Sequence, residues 1–187
     1  MKNRLIDIFK RPVTTVLIVI NAIVFLFTYS NENYYVYHGG LNYDLVIENG
    51  EWYRFITCMF LHSGFQHILM NVVSLAFCGF SLEDKIGSLR TGVIYFGSGL
   101  CGGVLSVVIN WLMARSVISV GASGAVYGLL AAYAVNQALE EGKPVWKSFG
   151  IVAIYVIGTY SVGVDFLGHF GGILGGAALS LLLLRKR

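Results

Sequence analysis

The chain has 187 residues, of which 56% are hydrophobic and only 12% are charged, and its mean hydropathy is +0.71. This composition lies well outside the range of soluble domains, so it argues against a soluble protein and predicts residence in a lipid bilayer. The formal net charge is only +3, and the positions of the charges are more informative than their sum.

Six hydrophobic segments approach the length of a membrane span. A helix that crosses the hydrocarbon core of about 30 Å needs roughly 17–25 apolar residues. We therefore predict an all-α membrane protein with six transmembrane helices in a single domain, residues 1–187. The predicted spans are Val13–Tyr29, Phe55–Ser81, Gly92–Met113, Ser116–Gln137, Trp146–Val164 and Asp165–Leu184.

Basic residues are concentrated on one side of these spans, which marks the cytoplasmic side. Both termini are therefore predicted to be cytoplasmic. This asymmetry explains the positive net charge, so we expect no nucleic-acid partner and interpret Arg185–Arg187 as a topology anchor. Eleven of the 13 Lys and Arg residues lie on that side: Lys2, Arg4, Lys10, Arg11, Lys85, Arg90, Lys143, Lys147, Arg185, Lys186 and Arg187.

The segment Ser30–Tyr53 is predicted to be a long non-helical loop on the outer side of the membrane. It is rich in tyrosine and also carries Trp52, and amphipathic aromatic rings settle at the headgroup level. Loops of this length are uncommon without a function. Two interpretations stay open for it: a lid or gate, and a solvated connector.

On the second span, His67 and Asn71 are four residues apart and therefore share a helix face. Polar groups within the membrane are costly and are usually functional, although hydrogen bonds between helices are a structural alternative. His62 precedes His67 by five residues, which places the two on different faces and argues against a helical metal site. We predict no metal and no cofactor.

Ser116–Gly121 contains β-branched and small residues, and we predict an extended segment there, followed by a helix that begins near Ser123. Irregular backbone at membrane depth must be buried in protein or line a water-filled cavity. Ser123 would then be accessible to water.

His169, near the start of the last span, supplies a base to match this serine. His67, Ser123 and His169 lie 14, 14 and 15 residues from the predicted inner ends of their helices. At 1.5 Å per residue, each lies roughly 21–23 Å above the inner surface. A nucleophile and a base at one depth in the membrane indicate intramembrane hydrolysis.

Glycines predict that the fourth and sixth spans pack closely. Small residues four apart allow the backbones of membrane helices to approach each other. Close packing alone explains the glycines, but it does not explain a serine and a histidine at one end of both helices. The spacings are Gly124/Gly128, Gly168/Gly172/Gly176 and Gly171/Gly175.

Several motifs occur in the order, and on the helices, that are typical of one family. They are Gly121-Ala122-Ser123-Gly124-Ala125-Val126-Tyr127-Gly128, His169-Phe170-Gly171-Gly172, His67-Ile68-Leu69-Met70-Asn71, Trp52-Tyr53-Arg54 and Leu82-Glu83. With them the chain resembles, over nearly its whole length, the six-helix bacterial-type core of the rhomboid intramembrane serine proteases.

The resemblance implies a Ser–His dyad, with Ser123 as nucleophile and His169 as general base. It further implies that His67 and Asn71 donate to the oxyanion and that Tyr127 packs on the His169 ring. Asp165 lies one turn before His169, but the family pattern needs no third acid, so we interpret Asp165 as an N-cap.

The predicted function is that of a serine endopeptidase that cleaves peptide bonds in or near transmembrane segments of membrane proteins. We expect an integral multi-pass protein, in the cytoplasmic membrane if the source is bacterial. Two alternatives stay open: a catalytically inactive rhomboid-like adaptor, which would not need both Ser123 and His169, and a small transporter with a polar pathway.

Overall fold

The computed structural model describes residues 11–158 and 165–184. Regular elements within these residues are helical, and an isolated antiparallel bridge pairs Leu41 with Ser119. The prediction of an all-α protein is confirmed for this part of the chain. The helices are α1 (Pro12–Thr28), α2 (Glu32–Gly39), α3 (Tyr43–Ile47), α4 (Arg54–Thr57), α5 (Phe65–Ile86), α6 (Ser88–Leu112), α7 (Ser123–Glu140), α8 (Gly150–Gly158) and α9 (Phe166–Leu184), with 3-10 turns at Tyr29–Asn31, Cys58–Phe60 and Val145–Phe149.

Four helical segments of the described chain are long and apolar enough to cross a membrane: Pro12–Gly39, α5, α6 and α9. The 18-residue α7 is not among them, and Val145–Ile157 is a shorter apolar helix. Twelve of the 18 residues of α7 are buried inside the bundle. Most of its side chains therefore contact protein, and the helix can be less apolar than one that faces lipid. Six spanning helices therefore remain a prediction.

The predicted start of the second span is wrong by ten residues, because α5 begins at Phe65 and not at Phe55. The hydrophobic run before it forms α4, a 3-10 turn and a short connection. Gly64 directly precedes α5 at φ +91°, a conformation that cannot continue a helix. His67 therefore lies in the first turn of α5.

The prediction that Ser30–Tyr53 is non-helical is also wrong, because the segment contains α2 and α3. Its fold is held by Arg54, whose side chain is only 2% exposed. The guanidinium donates to the carbonyls of Tyr37 at 2.9 Å and Gly40 at 2.6 Å, and it pairs with Glu51 at 2.6 Å.

The predicted extended segment before Ser123 is confirmed. The backbones of Leu41 and Ser119 exchange two hydrogen bonds, of 2.9 and 2.8 Å, which join the segment 30–53 to this strand-like run. The amide of Gly121 donates to the carbonyl of Cys58 at 2.8 Å. Helix α7 then begins at Ser123, as predicted.

Glycines let α9 approach two helices at once. A Cβ built on Gly172 would overlap the carbonyl of Gly124, and one on Gly176 would overlap the carbonyl of Gly128. The predicted packing of the helices that carry Ser123 and His169 is therefore confirmed. Gly171 faces α6 instead, since its Cβ would lie 2.8 Å from the carbonyl oxygen of Cys101.

Some predictions fall outside the described residues. They concern the cytoplasmic basic residues Lys2, Arg4, Lys10 and Arg185–Arg187, and residues 159–164 at the end of the fifth predicted span. The cytoplasmic location of both termini stays a prediction.

Candidate active site

Ser123 is the first residue of α7, at the end of the extended segment. The amide N–H groups in the first turn of a helix have no partner within the helix, and they point toward its N-terminal end. Ser123 thus lies beside backbone donors that can bind a negative charge.

Gly121 shapes the approach to Ser123. Its φ of +123° is one that side chains rarely permit, and a Cβ there would lie 2.7 Å from Nε2 of His67. The backbone at this residue therefore lies so close to the His67 ring that any side chain here would displace the ring.

His169 lies in the first turn of α9 and is 8% exposed. Its Nε2 is 2.8 Å from Oγ of Ser123, the distance of a hydrogen bond between a hydroxyl and a ring nitrogen. With the ring neutral and its proton on Nδ1, the serine hydroxyl donates to Nε2. In this arrangement His169 can accept the serine proton while the serine oxygen attacks a carbonyl carbon.

Tyr127 packs on the His169 ring, as expected. The ring centroids are 4.3 Å apart and the planes are inclined by 30°. Tyr127 also contacts Tyr155 of α8, at a centroid distance of 5.0 Å, and the hydroxyl of Tyr155 donates to Ser74 of α5. A row of side chains therefore connects His169 to two further helices.

His67 reaches the site with its Nε2. Its Nδ1 lies 3.3 Å from the backbone N–H of Ser63 and 3.1 Å from the Ser63 hydroxyl. Since a backbone N–H only donates, Nδ1 is the acceptor and the proton of the neutral ring lies on Nε2. The Nε2–H group then faces Gly121, beside Ser123.

Asn71 is buried, at 6% exposure, one turn further along α5. Its amide donates to the carbonyl of His67 at 3.0 Å. An amide group carries two N–H donors, so this bond leaves one for another acceptor. Asn71 is not among the residues that line the cavity at Ser123.

Asp165 caps α9, which confirms the interpretation as an N-cap. Its Oδ1 accepts from the amide of Gly168 at 2.9 Å, and its Oδ2 accepts from the hydroxyl of Ser106 at 2.6 Å. Both carboxylate oxygens are thus engaged by partners other than the His169 ring.

A cavity of about 40 Å³ adjoins Ser123 and His169. This volume has room for a few water molecules, since one water needs roughly 10–15 Å³. The lining combines the two candidate catalytic residues with small and apolar ones: Leu41, Cys58, Met59, Gly99, Gly103, Ser119, Val120, Gly121, Gly124, Ala125, Asp165 and Gly168.

His62 is a neighbour that the sequence analysis missed. The five-residue spacing predicts that it lies on a different face from His67, but the two rings are in edge-to-face contact at 5.1 Å. The contact arises because His62 precedes α5 instead of lying on it. Burial lowers the pKa of His62 to about 4, which keeps this ring neutral at neutral pH.

Comparisons with known proteins identify the family of the chain. A family model described as the Rhomboid domain matches residues 49–186. RHOMBOID-like protein 7 of Arabidopsis thaliana is 37% identical over 152 residues, which are 78% of this chain and 47% of that protein. Rhomboid-like protease 5 of Toxoplasma gondii is 32% identical over 156 residues, 79% of this chain and 18% of that protein. The chain therefore matches less than half of either relative.

A bacterial relative has a similar length. The protein named "Putative rhomboid protease YdcA" of Bacillus subtilis (strain 168) is 30% identical over 186 residues, which are 94% of this chain and 90% of that protein. With the four apolar helices, these matches identify an integral multi-pass membrane protein. Because the family model covers well over half of its length, the chain belongs to the rhomboid family.

Proposed function

We propose that this protein is an intramembrane serine protease that cleaves peptide bonds in or near transmembrane segments of membrane proteins. The observation that carries the proposal is the 2.8 Å hydrogen bond between Oγ of Ser123 and Nε2 of His169. Both side chains lie at a cavity large enough for water, on helices whose backbones are in contact.

In the first half of the reaction, Oγ of Ser123 attacks the carbonyl carbon of the substrate while Nε2 of His169 accepts the serine proton. The oxyanion that forms is stabilised by the N–H groups at the start of α7, by Nε2–H of His67 and by the free donor of Asn71. Collapse of this intermediate breaks the C–N bond, and the departing amine takes the proton from His169.

In the second half, a water molecule attacks the acyl group on Ser123 and gives its proton to His169. The new oxyanion collapses, the acid product leaves, and the serine recovers its proton. The cavity beside Ser123 supplies the room for this water.

The membrane setting defines the class of substrate. Backbone hydrogen bonds shield a peptide bond within a helix, so the substrate must unwind before attack. We expect single-pass membrane proteins with small or helix-breaking residues near the outer end of the span. An inactive adaptor would bind such proteins without cutting them.

The test is cleavage by the purified protein in detergent, with a model single-pass substrate and the products identified by mass spectrometry. We expect one cut near the outer end of the span in the wild type and none with Ser123→Ala. Ser119→Ala is the matched control, because Ser119 also lines the cavity but is not bonded to His169. Equal cleavage by Ser123→Ala, or no cleavage by the folded wild type, contradicts the proposal.

A further inference from the structure

Three polar side chains bind the start of α9 to α6. Oδ1 of Asp165 accepts from Gly168 N–H at 2.9 Å, and Oδ2 accepts from the Ser106 hydroxyl at 2.6 Å. The amide of Asn110 donates to Oγ of Ser106 at 3.2 Å and so fixes the orientation of that hydroxyl. We call Asp165, Ser106 and Asn110 the Asp165 tether.

The tether acts where α9 lies directly on α6. A Cβ on Gly102 of α6 would overlap the carbonyl of Gly168, so no side chain separates the two backbones. Ser106, one turn beyond Gly102, is only 2% exposed. Its bond to Asp165 therefore fixes the height and rotation of the first turn of α9 against α6.

His169 follows Gly168 directly, and its own amide donates to the Asp165 carbonyl at 3.1 Å. The His169 backbone is thus placed by the turn that Asp165 caps, while Tyr127 holds the face of the ring. The distance from Nε2 to Ser123 depends on both contacts.

We infer that Asp165, held by Ser106, is a positioning residue that keeps Nε2 of His169 within hydrogen-bonding distance of Ser123 Oγ; this rests on the proposed protease function. It differs from the acid of a catalytic triad, which accepts from Nδ1 of the histidine. Here the carboxylate acts on the helix that carries the histidine.

The test compares variants at two buried serines that hold α9. Ser106 binds the end of α9 that carries His169, whereas Ser180 donates to the Ala132 carbonyl of α7 at 3.3 Å, three turns away. Ser106→Ala and Ser180→Ala each remove one hydroxyl of this kind. The readouts are kcat, KM, the melting temperature and the rate at which a fluorophosphonate probe labels Ser123, each taken for the folded fraction.

We expect Ser106→Ala to lower kcat and the labelling rate by about tenfold, and Asp165→Ala by about 10²-fold, because an error of 1 Å in catalytic geometry has effects of this size. The KM of Ser106→Ala should stay within about twofold, since Ser106 is not among the residues that line the cavity at Ser123. Asp165→Asn should recover most of the rate, because its oxygen still accepts from Gly168 and its amide can donate to Ser106. Ser180→Ala should keep the wild-type kcat.

Wild-type kcat and labelling in Ser106→Ala would overturn the inference, as would an equal loss in Ser180→Ala or a change in KM alone. If Asp165→Ala does not fold, Ser106→Ala and Asp165→Asn decide the question. Failure of the protease function looks different, because the wild type itself would then neither cleave substrate nor react with the probe.

Discussion

At the scale of single residues, the space around Ser123 is limited by the close packing of Gly121 against the His67 ring. The residue combines a positive φ with a position at which an added Cβ would lie 2.7 Å from Nε2 of His67. The His67 ring and the Ser123 side chain share the small space that this glycine leaves open. A side chain at position 121 would displace the His67 ring, and we expect it to alter the site more than the overall fold.

Gly121→Ala should therefore reduce cleavage by about 10²-fold or more, because the new methyl group displaces His67 from its position near Ser123. Gly142→Ala is the matched control: its φ is also positive, at +61°, but its Cβ would meet nothing within 4 Å. The measurement is kcat for each variant, with the melting temperature to report the backbone strain. A Gly121→Ala protein as active as Gly142→Ala would contradict the described geometry.

Asn71 tests the assignment of oxyanion donors. If its free N–H stabilises the oxyanion, Asn71→Ala should lower kcat by roughly 10²–10³-fold, the range for loss of one such donor, while the melting temperature changes little. The alternative is that Asn71 only supports the helix through its bond to the His67 carbonyl. A normal kcat with a lowered melting temperature would remove Asn71 from the site and leave His67 and the Ser123 amide as donors.

At the scale of helices, the site exists because α7 and α9 touch along glycines. Gly172 packs against the Gly124 carbonyl and Gly176 against the Gly128 carbonyl, below the level of Ser123 and His169. This contact brings the two side chains of the proposed dyad together although 46 positions separate them along the chain.

Gly172→Ala should separate these helices and destabilise the protein by about 1–3 kcal/mol, the typical cost of overpacking a close contact. Gly92→Ala is the comparison, since its Cβ would make an ordinary contact of 3.7 Å with Val13. Thermal unfolding in detergent measures both. If the two variants melt at the same temperature, α7 and α9 are not packed as described.

The sequence predicts which helices are present better than it predicts the residues at which they begin. The small-residue spacing and the β-branched run before Ser123 indicate α7 and the segment that precedes it, and both are present. The start of α5 could not be predicted, because residues 55–64 are as apolar as the helix and the pattern does not show that Gly64 adopts a positive φ. The short helix α2 could not be predicted, because Arg54, which binds the carbonyls of Tyr37 and Gly40, lies 14 to 17 positions further along the chain. Helix α3 has only five residues, too few to show a helical period.

The sequence likewise predicts only part of the candidate site. Ser123, His169 and Tyr127 could be predicted, since motif spacing and family resemblance place them on known helices. The partners of Asp165 and the contact of His62 with His67 could not, because Ser106 is 59 positions from Asp165 and carries no local signal. Contacts between segments far apart in sequence appear only with the fold.

At the scale of the whole molecule, the distribution of basic residues predicts that both termini are cytoplasmic. Single cysteines at Asn3 and Leu184, in a background without the three native cysteines, should react with an impermeant thiol reagent only from the cytoplasmic side. A cysteine at Asn33 should react only from the outer side. Labelling of the Asn33 site from the cytoplasm would reverse the proposed orientation.

The central claim is that Ser123 and His169 act as one catalytic unit, and a double-mutant cycle in kcat tests it most directly. Ser123→Ala and His169→Ala should each abolish nearly all cleavage, and the double variant should be little worse than either, because catalytic partners are strongly non-additive. The three folded variants and the wild type are compared on one transmembrane substrate in detergent. Losses that multiply in the double variant, or substantial cleavage by Ser123→Ala, would show that the two residues do not work together.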